Sequence, residues 1–329
     1  MYRFTMRFLR FLVPAVLLTC VLTYSLPAHA QLPIQSSDFF LTTPDKVSIH
    51  VNRKVIGSVA GGFAGASVLL IHGTWGDART WDFPGRSVMD RLAAEGYDVY
   101  ALDLRGMGSS DKPANYFTID IINRVTDAAT VAGYIYGTTH HAPVVLGWSQ
   151  GGVITGLLAA NAPQLVVGVG FLSVPEDGFS VPTNLLPVLG QIILSGVDRF
   201  LPTEAEINEV AFGPLMSSQA EDTFFSISDP DSVLAIEEAA SALFFNAAVV
   251  PAWPAIHVPV LVADGGLDPL VGTQSSQALF NALTGTTNKH LVIFPFNSHG
   301  WFLEDNHDLT MLAVDLFLFQ FRTPIWPHD

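Results

Sequence analysis

The chain has 329 residues, of which 49% are hydrophobic and 14% are charged. This length and apolar content allow a large buried core and exclude an intrinsically disordered chain or a charge-rich coiled coil. The formal net charge is −15 at pH 7, and the sequence holds no cluster of Lys or Arg. Such a charge disfavours nucleic acid and anionic membranes as partners. We expect one core that carries an insertion.

The first thirty residues have the organisation of a secretory signal peptide. An apolar run over residues 11–26 precedes small residues around His29, and no acidic residue lies in the segment. We therefore expect cleavage after Ala30, giving a secreted or periplasmic protein with a net charge of −18 and no stable membrane insertion. The basic residues before the apolar run are Arg3, Arg7 and Arg10.

Two other interpretations of this segment are weaker. An uncleaved membrane anchor needs ~20 apolar residues, which is more than the run provides. Lipidation at Cys20 is disfavoured because Thr19 would lie directly before the modified cysteine. Cys20 is also the only cysteine, so the cleaved chain would hold no disulfide and no cysteine metal ligand.

After residue 31, short apolar runs alternate with longer helical patterns, which is typical of an α/β fold with a mostly parallel sheet. The predicted strands are Val47–Ile56, Ser67–Ile71, Tyr97–Leu102, Pro143–Gly147, Val166–Ser173, Val258–Ala263 and His290–Phe294. The predicted helices are Gly85–Glu95, Thr118–Thr138, Gln150–Ala160, Thr273–Leu283 and Asn306–Phe321. The glycine-rich stretch 57–65 reads as a hairpin turn between the first two strands.

About 80 residues separate the fifth predicted strand from the sixth, too many for a structureless linker in a compact domain. Apolar residues recur at helical spacing from Val233 to Phe244. We therefore predict a signal peptide at 1–30, a core in two parts at 31–174 and 255–329, and an inserted helical cap at 175–254.

The sharpest local motif is Gly-Trp-Ser-Gln-Gly at residues 147–151, where an apolar strand ends and a helix begins. So tight a reversal needs Gly147 and Gly151 to be free of side chains, and it holds the hydroxyl of Ser149 out of the sheet. A helix N-terminus behind that hydroxyl favours developing negative charge. The motif in this context predicts a nucleophilic serine.

This motif and its neighbours resemble the α/β-hydrolase fold family, specifically its capped serine hydrolases of the carboxylesterase and lipase kind. His-Gly-Thr-Trp at 72–75 looks like the family's oxyanion loop, and Asp-Leu-Arg-Gly-Met-Gly at 103–108 is similar to a turn of capped members. Gly-Gly-Leu-Asp at 265–268 and Asn-Ser-His-Gly at 297–300 follow in the family's order. The resemblance spans nearly all of the chain after residue 30.

The resemblance implies Ser149 as nucleophile, His299 as general base and Asp268 as the acid that orients His299. A serine hydroxyl needs such a base, and the base needs a carboxylate to fix its tautomer. Alternative acids are Asp264, which also ends a strand, and Glu176 or Asp177 after the preceding strand. His257 and His290 lie at strand starts and fit core or edge positions better than the base.

The oxyanion donors implied are the backbone N–H groups of Gln150 and Thr74, with Trp75 as the alternative to Thr74. The pair His140 and His141 lacks a nearby acid or cysteine, so we expect no metal there. Glu304 and its acidic neighbours read as helix capping next to the base. The resemblance implies no cofactor.

The expected function is an exported serine hydrolase that cleaves uncharged, hydrophobic carboxylic esters through an acyl-enzyme. A serine at the elbow argues against haloalkane dehalogenases and epoxide hydrolases, which resemble this chain but attack with aspartate. A lactone, amide or carbon–carbon hydrolase, a cofactor-free perhydrolase and a non-catalytic binding protein are the alternatives. Large apolar residues of the insertion pack on the core or wall a substrate pocket; they are Leu185, Leu186, Val188, Leu189, Ile192, Ile193, Leu194, Phe224, Phe225, Phe244, Phe245 and Trp253.

Overall fold

A mixed eight-stranded sheet forms the centre of the computed structural model. The structure describes residues 33–57, 66–74, 76–114, 119–177 and 250–322, together with the short pieces 199–200, 215–217, 220, 223 and 234–235. The predicted signal peptide at 1–30, most of the predicted cap at 175–254 and the alternative oxyanion residue Trp75 lie outside the described residues.

The strands of the described residues are β1 Ile34–Thr42, β2 Ser48–Ile56, β3 Ser67–Ile71, β4 Asp98–Leu102, β5 Val144–Trp148, β6 Gly168–Leu172, β7 Arg199–Phe200, β8 Leu234–Ala235, β9 Val260–Gly265 and β10 Lys289–Phe294. The eight-stranded sheet follows the order β1-β2-β4-β3-β5-β6-β9-β10, with the first two pairs antiparallel and all later pairs parallel. A separate two-stranded ribbon joins β7 to β8.

The helices of the described residues pack on both faces of this sheet. In the longest of them, Asp120 and Asn123 form a reciprocal capping box at the N-terminus, and buried residues recur every three or four positions. The helices are α1 Val88–Ala94, α2 Ile121–Thr139, α3 Gln150–Asn161, α4 Gly272–Ala282, α5 His307–Thr310 and α6 Leu312–Phe319. None of them is long and apolar enough to cross a membrane.

The core lies on both sides of the central strands. In β3, Val68 and Leu70 face one cluster, whereas Leu69 and Ile71 face the other, as the alternation of a strand requires. The first cluster includes side chains of α1 and α6, and the second includes side chains of α2, α3 and α4. Both faces are therefore covered, which explains the continuously apolar runs of the parallel strands.

The predicted strands and helices of the core are all present, with ends within three residues of those expected. The prediction of a hairpin at 57–65 is wrong, because β4 lies between β2 and β3 and pairs with both. The hairpin instead joins β2 to β1, a strand that the sequence analysis did not predict. The predicted last helix is two helices, α5 and α6, separated at Met311.

The two ends of the insertion meet on the core. Trp253 donates its indole N–H to the carbonyl oxygen of Glu176 at 2.7 Å and packs edge-on against Phe171, with ring centroids 5.3 Å apart. Trp253 is fully buried and packs on the core, which is one of the two roles expected for the large apolar residues of the insertion. Leu234–Ala235, within the stretch whose spacing predicted a helix, is extended and pairs with β7.

Candidate active site

Ser149 lies at the sharp turn between β5 and α3. Its backbone has φ 54° and ψ −123°, a strained conformation for a residue with a side chain. The Ser149 N–H donates to the Leu172 carbonyl oxygen of β6 at 2.9 Å, and its side chain makes no capping hydrogen bond to α3. The turn therefore fixes the backbone while the hydroxyl takes no part in capping the helix.

The two glycines around Ser149 are required by close backbone contacts. A Cβ atom at Gly147 would lie 2.3 Å from the Gly151 carbonyl oxygen, and one at Gly151 would lie 2.3 Å from the Ile71 carbonyl oxygen. Neither clash can be relieved by moving a flexible side chain, because both involve backbone. The structure thus bears out the argument that this elbow needs side-chain-free positions on both sides of the serine.

His299 and Asp268 form a buried pair at the carboxyl edge of the sheet. The His299 Nδ1 atom lies 2.7 Å from Asp268 Oδ2. The other carboxylate oxygen accepts the N–H groups of Leu270 and Val271 at 2.7 and 3.0 Å. Because Asp268 accepts at Nδ1, that nitrogen carries the proton, and Nε2 of the neutral ring is left as a base.

The electrostatics of this pair favour its charged form. Burial opposes ionisation of both groups, but their mutual attraction outweighs it, so the pKa of Asp268 is lowered and that of His299 is raised. A raised histidine pKa means that a proton accepted by His299 is stabilised by the carboxylate beside it.

Trp148 connects the elbow to the histidine loop. Its indole N–H donates to the His299 carbonyl oxygen at 2.9 Å, and the Trp148 and His299 ring centroids are 5.4 Å apart. A Cβ atom at Gly265 would lie 2.2 Å from the Ser298 carbonyl oxygen, so the acid loop and the histidine loop are also in direct contact. The structure therefore brings the predicted residues Ser149, Asp268 and His299 to one edge of the sheet.

The predicted oxyanion loop is braced by a neutral histidine. The Leu104 N–H donates to His72 Nε2 at 3.1 Å, so Nδ1 carries the ring proton and donates to the Gly73 carbonyl oxygen at 2.8 Å. Complete burial lowers the pKa of His72 and keeps it neutral. A Cβ atom at Gly73 would lie 3.0 Å from the Ser149 Cβ atom, which places the loop against the elbow next to Thr74.

The turn at 103–108 contacts this loop and the segment that follows it. Asp103 accepts the Ala78 and Ser109 N–H groups at 2.7 and 2.8 Å and contacts His50 Nδ1 at 2.9 Å. Arg105 forms a buried ion pair with Asp127 of α2. The turn that resembles the family pattern thus connects several neighbouring segments of the core through the side chains of Asp103 and Arg105.

Sequence reasoning missed a buried arginine next to Gln150. Arg124 of α2 is fully buried and donates from Nη1 to the Gln150 side-chain oxygen at 2.6 Å. Its position three residues before Asp127 on the buried face of α2 could have indicated it.

Glu304 does not cap a helix as expected. Its carboxylate is fully buried and accepts from the Ser298 N–H at 2.8 Å, the Ser298 hydroxyl at 2.5 Å and the Asn297 amide at 2.7 Å. Asn306, which precedes α5, likewise makes no side-chain cap and pairs with Asn297. Glu304 therefore anchors the two residues that lead into His299.

Asp268 makes the hydrogen bond to His299, and the alternative site residues have other hydrogen-bond partners. Asp264 is buried at the end of β9 and contacts Ser276, and the backbone of Glu176 forms hydrogen bonds with Ser275 and Trp253. His257 contacts the Gly285 carbonyl oxygen, and His140 ends α2 in a left-handed conformation. Within the described ranges, no cluster of three His, Cys, Asp or Glu side chains has the arrangement of a metal site.

Two known proteins are similar in sequence to parts of this chain. It is 37% identical over 107 residues to the dihydrolipoyllysine-residue acetyltransferase component of the acetoin cleaving system of Cupriavidus necator, covering 32% of this chain and 26% of that protein. It is 29% identical over 231 residues to a haloalkane dehalogenase of Mycobacterium marinum, covering 63% of this chain and 70% of that protein. The chain thus spans about a quarter of the length of the first relative.

A thermophilic esterase of Thermogutta terrifontis superposes with a TM-score of 0.66 at 18% identity, over 87% of this chain and all of that one. A likeness at this identity shows the shared fold. Residues 68–311 match the model of the alpha/beta hydrolase family. This match covers most of the chain, and together with the eight-stranded sheet and the serine elbow it shows that the protein belongs to the alpha/beta hydrolase family.

Proposed function

We propose that the protein is an exported serine hydrolase that cleaves uncharged, hydrophobic carboxylic esters through an acyl-enzyme. The observation that carries this proposal is the 2.7 Å contact between His299 Nδ1 and Asp268, made beside a strained serine elbow. In the family, such an arrangement supplies a nucleophile, a base and an acid that fixes the base.

In the proposed reaction, Ser149 Oγ attacks the ester carbonyl carbon while His299 Nε2 takes the hydroxyl proton. Asp268 holds the proton on Nδ1 and stabilises the imidazolium that forms. The N–H groups of Gln150 and Thr74 stabilise the oxyanion, with Trp75 as the alternative to Thr74. His299 then donates its proton to the leaving alcohol.

Hydrolysis of the acyl-enzyme repeats these steps with water in place of the serine. His299 takes a proton from water, the resulting hydroxide attacks the acyl carbonyl, and Ser149 leaves with the proton that His299 returns. No cofactor is needed for this sequence, because every proton is moved by the one imidazole.

The preference for uncharged esters is supported by the net charge of −18 after residue 30, which repels anionic substrates. An ester bond is supported by the esterase among the structural neighbours, and a serine at position 149 does not suit the aspartate chemistry of the dehalogenase relative. Export is supported by the basic and apolar pattern of the first thirty residues.

The test is hydrolysis of p-nitrophenyl esters of increasing acyl length by the chain beginning at residue 31, with Ser149→Ala as the blank. Ser173→Ala is the matched control. Ser173 directly follows β6 at this edge of the sheet and has a positive φ of 51°, and its buried hydroxyl has no hydrogen-bond partner among the described residues.

We expect turnover in the parent and in Ser173→Ala, and its loss in Ser149→Ala, with an acyl-length optimum that measures the pocket. Equal rates on charged and neutral esters would contradict the substrate class. A folded parent without esterase activity would contradict the ester substrate and favour lactones, amides, carbon–carbon bonds or peracid formation. A folded parent that a fluorophosphonate does not label would favour a non-catalytic binding protein.

A further inference from the structure

The residue after the proposed nucleophile is held by a buried arginine of another helix. Arg124 of α2 has no exposed surface, and its Nη1 atom donates to the Gln150 side-chain oxygen at 2.6 Å. Gln150 is itself only 5% exposed. Because the donor is charged and the bond is shielded from water, this bond is stronger than one between neutral groups at the surface. The side chain of Gln150 is therefore fixed toward α2.

This anchor acts where the backbone turns from the strained elbow into α3. Gln150 is the first residue of α3, so its N–H has no acceptor within the helix. Ser149 makes no side-chain cap at this end of α3, and its φ of 54° favours relaxation of the peptide that joins the two residues. The bond from Arg124 opposes that relaxation, and it thereby holds the N–H that is proposed to receive the oxyanion.

The same helix also contacts the other half of the proposed oxyanion site. Asp127, one turn after Arg124, accepts the backbone N–H of Arg105 at 2.9 Å. The preceding N–H, that of Leu104, donates to His72, which braces the proposed oxyanion loop. Burial and, to a smaller extent, the charge of Arg124 lower the pKa of His72. Through two residues one turn apart, α2 thus connects both segments that are proposed to bind the oxyanion.

We infer that Arg124 is a positioning residue of the oxyanion site, which holds the Gln150 N–H at a fixed place relative to the loop at 72–74. This inference rests on the proposed function. Hydrogen bonds to an oxyanion strengthen as the transition state forms, so a displaced donor lowers kcat more than it changes substrate binding. Loss of Arg124 should therefore change kcat rather than KM.

The first test compares ester kinetics of the parent, Arg124→Met and Arg124→Lys. Methionine keeps much of the apolar stem of arginine and removes its donors. We expect kcat of Arg124→Met to fall about tenfold or more with KM within about threefold, because complete removal of an oxyanion donor costs ~100- to 1000-fold. Arg124→Lys keeps a charged donor and should retain a higher kcat than Arg124→Met. An unchanged kcat in Arg124→Met, or a loss confined to KM, would overturn the inference.

Arg53→Met is the matched structural control. Arg53 donates from Nε and Nη2 to the Asp98 carboxylate at 2.7 and 2.8 Å. Asp98 begins β4 at the amino ends of the parallel strands, whereas Ser149 follows the carboxyl end of β5. Arg53→Met and Arg124→Met should both lower the free energy of unfolding, measured with urea. The inference predicts that only Arg124→Met lowers kcat, whereas a purely structural role predicts the same kcat in both.

Gln150→Met tests whether Arg124 acts through Gln150. It removes the acceptor of the Arg124 bond and keeps the backbone N–H. We expect a lower kcat in Gln150→Met, and no further loss in Arg124→Met/Gln150→Met beyond the larger single loss, because both changes break one bond. Losses that add in ln kcat would overturn the inference.

The last test does not depend on turnover, and Gln150→Met and Arg124→Lys serve for it if Arg124→Met does not fold. A fluorophosphonate adduct on Ser149 places its phosphonyl oxygen where the oxyanion would lie, so phosphorus NMR reports the hydrogen bonds to that oxygen. We expect the Gln150 and Arg124 variants to shift this resonance and Arg53→Met to leave it at the parent position. A labelled Ser149 with the same resonance in all variants would overturn the role of Arg124 alone. A folded parent without a label on Ser149 would instead overturn the proposed function.

Discussion

The indole N–H of Trp148 donates to the carbonyl oxygen of His299 across 151 positions of the chain, at 2.9 Å. This bond ties the residue before the serine to the histidine proposed as its base. The two residues belong to different parts of the core, so their relative position depends on such contacts.

Replacing Trp148 by Phe removes this donor and keeps a ring that can pack against Phe302 and His299. Leaving the buried His299 carbonyl without its donor should lower the free energy of unfolding by ~1–3 kcal/mol. A small displacement of the base should lower kcat about tenfold or more. Urea unfolding and ester kinetics measure the two effects, and an unchanged kcat would show that the bond does not position His299.

Gly73→Ala should damage the site more than the fold. The added methyl would lie 3.0 Å from the Ser149 Cβ atom and 3.2 Å from the Trp148 carbonyl oxygen, so the loop must move away from the elbow. A shift of the loop by a few tenths of an ångström relieves this contact, so we expect kcat/KM to fall about tenfold, less than the ~100-fold cost of a 1 Å misplacement in a catalytic site.

The control for that variant is Gly133→Ala in α2, where nothing lies within 4 Å of the added methyl. It should raise the free energy of unfolding by ~0.5–1 kcal/mol, because alanine loses less entropy in a helix. Its kinetics should match the parent. Equal losses of activity in both variants would contradict the placement of the 72–74 loop against Ser149.

Glu304→Gln should loosen the segment that leads into His299. The amide accepts fewer and weaker hydrogen bonds than the carboxylate that holds Asn297 and Ser298, and we expect a loss of ~2–3 kcal/mol in stability together with lower kcat. Asp305→Asn is the control, because its half-exposed ion pair with Arg86 contributes at most ~1 kcal/mol. Thermal unfolding measures the loss of stability, and ester kinetics measure kcat. Equal losses in Glu304→Gln and Asp305→Asn would contradict the anchoring role.

The pH dependence follows from the charge of the Asp268–His299 pair. His299 acts as a base only when neutral, and its pKa is raised above 6.5, so kcat/KM should rise with pH through a midpoint above 6.5. Asp268→Asn should lower that midpoint and reduce kcat by ~10⁴, because the asparagine amide stabilises the wrong tautomer. A variant whose midpoint does not fall would argue against Asp268 as the orienting acid.

The core strands could be predicted from sequence because parallel strands covered on both faces are continuously apolar. β1 was missed because it is an edge strand whose burial alternates and whose residues include Ser36, Ser37 and Asp38. The prediction of a hairpin turn at 57–65 is wrong because the order of strands in a sheet is set by long-range pairing, which no local sequence pattern encodes.

The residues at the ends of strands were recognised from their motifs, but those that hold them were not. Asp264 and Glu304 are buried carboxyls whose partners are close in the chain, yet the bond of Asp264 depends on how α4 packs on β9, and the bonds of Glu304 depend on how its loop folds. Arg124 reaches Gln150 from another helix. Sequence spacing identifies which residues carry chemistry more readily than which residues support them.

Covalent labelling shows whether Ser149 is the nucleophile without depending on the choice of substrate. The folded chain beginning at residue 31 is treated with a fluorophosphonate, and the adduct is located by peptide mass spectrometry. We expect one adduct, on Ser149, which Ser173→Ala retains and Ser149→Ala abolishes. An adduct that persists in folded Ser149→Ala, or a folded parent that forms none, would contradict this assignment.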